Sequence, residues 1–125
     1  MMLLNKEKNF ISAVIYVYNQ EQEIYNFLLN LQNILNKNFE KYEIICVDDA
    51  STDGSVDQIK KFVSANKATE GNTAVTILNM SFYQGLELSM NAGVDLSIGD
   101  FVYEFDIIAP FYSEALIMDV YRGSL

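Results

Sequence analysis

The chain has 125 residues, half of them hydrophobic, with 17 acids against 8 bases and a formal net charge of −9. That is apolar material enough for one core, which excludes a disordered or disulfide-stapled chain, and the acid excess leaves no basic stripe to follow a nucleic-acid polymer. The sequence contains no histidine, which removes Ser-His and Cys-His triads and the commonest zinc ligand, so any general base must be Asp or Glu.

Taken in chain order, the opening MMLLNKEKNF has too short an apolar run for a signal-peptide core, and no later stretch approaches the roughly 18 apolar residues of a membrane span. FISAVIYVY (10–18) is β-branched, aromatic and apolar on both alternations, as expected of a strand buried on both faces. A helix is predicted over 21–37, where Ile24, Phe27, Leu28, Leu31 and Leu35 recur at helical spacing, with Glu21 and Glu23 in its first turn and Asn19 as its N-cap. YEIICVDD (42–49) is the second strand. Its Cys46, the single cysteine, sits in an apolar run and fits a reducing, cytoplasmic location.

Val56, Ile59, Phe62 and Val63 mark a second helix, capped by Asp53 or Ser55, and TAVTILN (73–79) is a third strand. Leu88, Ala92 and Leu96 suggest a helix of about 12 residues from Gln84 or Gly85 to Ser97. DFVYEFDII (100–108) reads as a fourth strand, and YSEALIMDVYRGSL as a helix after Pro110 that continues towards the chain end.

The pattern is β-α-β-α-β-α-β-α, without internal repeat, low-complexity tract or linker. Right-handed crossovers then dictate an α/β fold: an open, mostly parallel, doubly wound Rossmann-like sheet with helices on both faces. Ligands of such sheets bind beyond the carboxyl ends of the strands, where the winding reverses. Polar groups gather there: Tyr18 and Asn19 after the first strand, Asp48, Asp49, Ser51, Thr52 and Asp53 after the second, NMSFYQG (79–85) after the third, and Asp106 after the fourth. Carboxylates on such a rim can accept from a nucleobase imide or ribose hydroxyls, or hold a divalent cation against a pyrophosphate. Asp48 and Asp49 serve equally well as a strand terminator and turn, with Ser51, Thr52 and Asp53 capping the next helix.

Three blocks, ISAVIYVYNQEQEI, YEIICVDDASTDGSVDQIKKF and NAGVDLSIGDFVYEFD, resemble the inverting family-2 glycosyltransferases of GT-A fold, including dolichol-phosphate-mannose-synthase-like enzymes. The resemblance covers roughly 10–121 and is most specific over 42–55. It implies strand order 3-2-1-4 and a single unit, 1–125, forming the nucleotide-sugar-binding N-terminal half of a longer GT-A domain. It also implies a nucleotide-diphosphate-sugar donor whose base meets Asp48 or Asp49, preferentially Asp49, and the main chain around Tyr16 to Tyr18. Asn19 and Asp106 would flank the reversal point, with Asp106 as the first acid of an Asp-x-Asp motif meeting ribose and a divalent cation, Mg²⁺ or Mn²⁺. Transfer would invert the sugar as an acceptor hydroxyl attacks, in cell-envelope polysaccharide or glycolipid synthesis at the inner face of the membrane.

The sequence departs from that pattern at Tyr16, where proline is usual, in NMSFYQG, which lacks a basic residue, and at Ile108, which replaces the second acid of Asp-x-Asp and cannot ligate a metal. Counting from Gly99 assigns the motif's first acid to Asp106 rather than to Glu104. No catalytic residue is expected within the chain, because the family's base lies in the acceptor-binding half, and the 125 residues alone are expected not to turn over. Apolar surface around Ile107, Ile108 and Phe111 is expected to be exposed and to favour self-association. The alternative reading is a non-catalytic nucleotide-binding or scaffold domain derived from such an enzyme. A receiver domain shares the alternating plan but needs an acid pair after the first strand and a lysine after the last, and neither is present.

Overall fold

The computed structural model describes residues 6–66, 73–108 and 112–125. Four strands, β1 (Ile11–Val17), β2 (Tyr42–Asp48), β3 (Thr73–Asn79) and β4 (Phe101–Phe105), alternate with helices α1 (Ile24–Asn38), α2 (Ser55–Ala65), α3 (Leu86–Leu96) and α4 (Glu114–Gly123). The sheet is entirely parallel, as the alternating pattern predicts, and its order β3-β2-β1-β4 is the one the resemblance implies. The chain winds outwards from β1 to β3 and then returns to lay β4 on the other side of β1, so the reversal lies between β1 and β4.

Every residue of β2 and all but Tyr16 of β1 are buried, which explains why these strands are apolar on both alternations. On one face Ile11, Ala13, Ile15, Ile44 and Cys46 meet α1 through Phe27, Leu28 and Leu31, α2 through Ile59 and Phe62, and α4 through Ile117 and Tyr121. On the other, Val14, Ile45 and Val47 meet α3 through Met90. Burial pushes the Cys46 thiol up to about 12, so it packs as a small hydrophobe rather than a nucleophile.

The helical spacing predicted for α1 is confirmed by burial of all five of its named apolar residues, but the helix begins at Ile24 rather than at 21. Glu21 and Glu23 precede it, and Glu21 is turned away to accept from the Gly54 N–H at 2.9 Å. The face expected for α3 is reversed: Leu88 and Leu96 are exposed, while Ser89, Met90 and Gly93 are buried. The cause is close approach. A methyl group on Gly93 would stand 2.5 Å from Val14 Cγ1 and 2.6 Å from Val47 Cγ2, so the helix seats its smallest residue on the sheet and turns its leucines out.

β4 stops at Phe105, short of 108, and a bend follows. Ile107 is exposed as expected, but Ile108 is only 8 % exposed and joins the larger core. Pro110 and Phe111 lie outside the described residues. Ser113 caps α4 by accepting from the Leu116 N–H at 3.1 Å. Among the described residues no helix is long and apolar enough to cross a membrane.

Candidate functional site

The period of two along a strand sends adjacent residues to opposite faces, and at the end of β2 this separates two neighbouring acids. Asp48 accepts from the Ser51 hydroxyl at 2.6 Å and the Ser51 N–H at 3.1 Å, closing a tight turn through Ala50, whose φ is +57°. Asp49 is wholly buried and faces α3. One of its oxygens accepts from the Gln84 N–H at 2.7 Å, the other from the Gly85 N–H at 2.9 Å and the Tyr16 hydroxyl at 2.7 Å.

Asp49 therefore supplies the negative charge at the N-terminus of α3 from a distant strand, where the helix's free N–H groups and dipole favour it. Burial alone would raise its pKa, but the Gln84 N–H, the Tyr16 hydroxyl and the Gly85 N–H outweigh burial and hold the carboxyl below its ordinary range. The buried Ser89 hydroxyl adds to that lowering from close by, without forming a well-directed hydrogen bond. Tyr16 is driven the opposite way, first by burial and then by its bond to Asp49, so its phenol stays protonated. Gly85 has φ +91°, a backbone conformation that glycine adopts without strain.

The loop after β1 is laced to the loop after β2. Asn19, at φ +51°, accepts from the Thr52 N–H at 2.8 Å and donates its own N–H to Ser51 Oγ at 2.9 Å. It lies upstream of α1 and caps the other loop, not the helix that follows it. Gln20 N–H donates to Ser55 Oγ at 2.7 Å, and Ser55 in turn donates its hydroxyl and N–H to Asp53 Oδ1 at 2.6 and 2.9 Å. Glu21 N–H reaches Asp53 Oδ2 at 3.2 Å. Burial works against the charge on Asp53, but these donors prevail and lower its pKa. Neither Asp53 nor Ser55 is the cap expected of α2: Gly54 stands at the N-cap position, and Asp53, one residue before it, accepts from Ser55, the first residue of the helix.

Two aromatic residues of the NMSFYQG stretch stand exposed on this rim. Phe82 and Tyr83 are 67 % and 59 % exposed, and the Tyr83 ring meets Tyr18 edge-on with centroids 5.1 Å apart. Only their setting in a loop, between Ser81 and Gln84 and outside any strand or helix period, marks them in the sequence.

Across the reversal point the rim is bare. Ile15 pairs with Phe105, so the register carried one residue further sets Asp106 level with Tyr16. Asp106 and Glu104 are both exposed, while Ile108 is folded into the core. Among the described residues no three His, Cys, Asp or Glu side chains converge to hold a metal ion. Two exposed carboxylates, Glu104 and Asp106, and a buried isoleucine at 108 do not fit a protein-held cation, which needs several oxygen ligands. Of the residues singled out from the sequence, the structure brings Tyr16 against Asp49 and Asn19 against the Ser51–Thr52 turn, and Asp106 makes no hydrogen bond to any of them. A broad, shallow concavity of about 870 Å³ between α1 and α2, lined by residues including Tyr25, Lys60 and Lys61, does not include Tyr18, Asp49 or Asp106.

Comparison with known proteins agrees with this architecture. A mannosyltransferase of Pyrobaculum calidifontis, solved with GDP-Man and Mn²⁺, superposes with a TM-score of 0.69 at 20 % identity over 84 % of this chain and 30 % of its own. Staphylococcus aureus TarS superposes at 0.66 and 19 % identity, over 90 % of this chain and 31 % of its own. In sequence, an uncharacterized glycosyltransferase of Synechocystis is 31 % identical over 96 residues, 77 % of this chain and 28 % of the relative. An undecaprenyl-phosphate 4-deoxy-4-formamido-L-arabinose transferase of Aeromonas hydrophila is 31 % identical over 102 residues, 82 % of this chain and 30 % of the relative. The chain thus spans less than a third of the length of these relatives. Residues 12–106 match the model of the glycosyl transferase family 2 domain, and it is to this family that the chain belongs.

Proposed function

We propose that residues 1–125 are the donor-binding N-terminal half of a GT-A domain, and that a nucleotide-diphosphate sugar lies across the strand-end rim from the Tyr18–Asn19 end of β1 to Asp106. The observation that carries this reading is the reversal of winding between β1 and β4 in a chain of this family. It leaves Asp106 exposed on one side of the crevice and the aromatic end of β1 on the other.

In this reading the base rests against the end of β1, and Asp106 accepts from the ribose hydroxyls. Asp48 and Asp49 shape the base edge from beneath. For Asp49 to contact the base directly, the Gln84–Gly85 turn would have to yield, because three donors already hold its buried carboxylate. The longer polypeptide would contribute the acceptor half and its carboxylate base, and the sugar would be a hexose transferred with inversion to a hydroxyl or a lipid-linked acceptor of the cell envelope, at the cytoplasmic face. No step is assigned to a cation held by these residues.

Titration of the chain with guanosine and uridine diphosphates, followed by amide chemical shifts, tests the reading. Binding at about 1 mM or tighter, with shifts clustered at 16–20, 80–86 and 104–108, is the expected result. Shifts confined to the concavity between α1 and α2, or none at saturating nucleotide, would overturn it.

A further inference from the structure

Segment 80–85 leads from β3 into α3, and it is anchored on both sides of its aromatic pair. Met80 donates its N–H to the Asp48 carbonyl at 2.9 Å, while Gln84 and Gly85 donate theirs to the buried Asp49 carboxylate. Tyr83 therefore projects from a backbone fixed at neighbouring points rather than from a free loop. Its ring stands at 65° to that of Tyr18, and its hydroxyl lies close enough to Tyr16 to help keep that phenol protonated.

The two large rings, 59 % and 37 % exposed, meet edge-on as a wedge at the rim and leave aromatic surface in solvent. The described strand-end segments 18–23, 48–55, 79–86 and 104–108 contain no lysine or arginine, so they themselves supply no cationic clamp for an anionic ligand. The chain's net charge of −9 opposes such a ligand further. Ring stacking is an attractive contact that needs no such clamp.

We propose that Tyr83 is a specificity-determining residue of the donor site, forming with Tyr18 an aromatic wedge that holds the nucleobase by its π-face; the inference rests on the donor-site reading above. A π-face is common to all bases, so the wedge tolerates different bases and favours purines, whose two rings overlap more of it.

Binding of guanosine diphosphate, uridine diphosphate and base-free pyrophosphate to the wild-type chain, Tyr83→Ala and Tyr83→Phe decides the matter. Tyr83→Ala is expected to weaken guanosine diphosphate roughly tenfold, uridine diphosphate less, and pyrophosphate not at all, at low and high salt alike. Tyr83→Phe is expected to bind as wild type. Unchanged affinity of Tyr83→Ala for guanosine diphosphate would overturn the wedge and leave the donor site standing, whereas failure of the wild-type chain to bind any nucleotide would overturn both. Equal losses in Tyr83→Phe and Tyr83→Ala would overturn stacking as the cause. The exposed ring can be removed without opening the core, so the melting temperature of Tyr83→Ala should match wild type and serves as the folding control.

Discussion

On the two sides of β1 the strand-end rim is built from the same residue type in opposite ways. Towards β2, each carboxylate of the DDASTD stretch is enclosed by donors of the chain itself: Asp48 by Ser51, Asp49 by Tyr16 and the turn into α3, Asp53 by Ser55 and Glu21. Towards β4, Asp106 stands in solvent and engages none of the described residues. An acid satisfied from within sets the shape of a site, and an acid left open is free to meet a ligand. The block most diagnostic of the family is, by this contrast, chiefly the frame of the rim.

The sharpest way to break the comparison is to rebuild the missing acid on the bare side. Ile108→Asp restores the spacing of an Asp-x-Asp motif, yet position 108 packs among the larger core cluster rather than on the rim. The substitution removes apolar packing and places an unpaired carboxylate where water is excluded, a cost on the order of 3–4 kcal/mol. Urea denaturation should show that loss, with no added stabilisation by Mn²⁺. A variant that stays as stable as wild type and gains Mn²⁺-dependent stability would show that residue 108 can turn out to the rim.

On the enclosed side, Asp49→Ala strands three half-buried donors and removes the charge at the head of α3. We expect a loss of about 3 kcal/mol, with Asp49→Asn recovering only part of it. The pH dependence carries its own sign. Because the folded-state pKa is depressed, Asp49's contribution is complete above the unfolded value of about 3.9 and is lost as the pH falls through the lower folded value. Wild type should therefore destabilise more steeply than Asp49→Asn below about pH 4, measured by denaturation at successive pH values. Parallel acid limbs for the two proteins would mean that the carboxylate is not held as described.

The fold was legible because its signals are redundant. Strand apolarity on both alternations, the α1 spacing and the handedness of crossovers all lead to one sheet, and β2 and β3 were placed to within a residue at each end. The face of α3 was not legible, since hydrophobic spacing weights Leu88 and Leu96, whereas the helix is oriented by the absence of a side chain at Gly93. At the site, sequence reveals which residues can hydrogen-bond but not which partner satisfies them. Asn19 looked like a cap for the helix that follows it and instead closes the turn at Thr52, 33 positions away. Tyr83 belongs to the NMSFYQG stretch that the pattern sets on the rim, but sequence does not reveal that its ring stands in solvent against Tyr18.

The smallest effect on stability is expected where the comparison assigns the most direct contact with ligand. Asp106→Ala removes an exposed carboxylate that supports no described neighbour, so stability should stay within about 0.5 kcal/mol of wild type. If Asp106 accepts from ribose hydroxyls, its loss removes charge-assisted hydrogen bonds and should weaken guanosine and uridine diphosphates alike, roughly tenfold. Net charge pulls the other way: one fewer acid on a chain of −9 reduces repulsion of the diphosphate and would by itself tighten binding. The two causes separate with salt, because high ionic strength screens the repulsion and leaves the short-range contact in place. A deficit that persists or grows at high salt marks a direct contact, whereas affinity equal to or better than wild type at every salt concentration would remove Asp106 from the donor site.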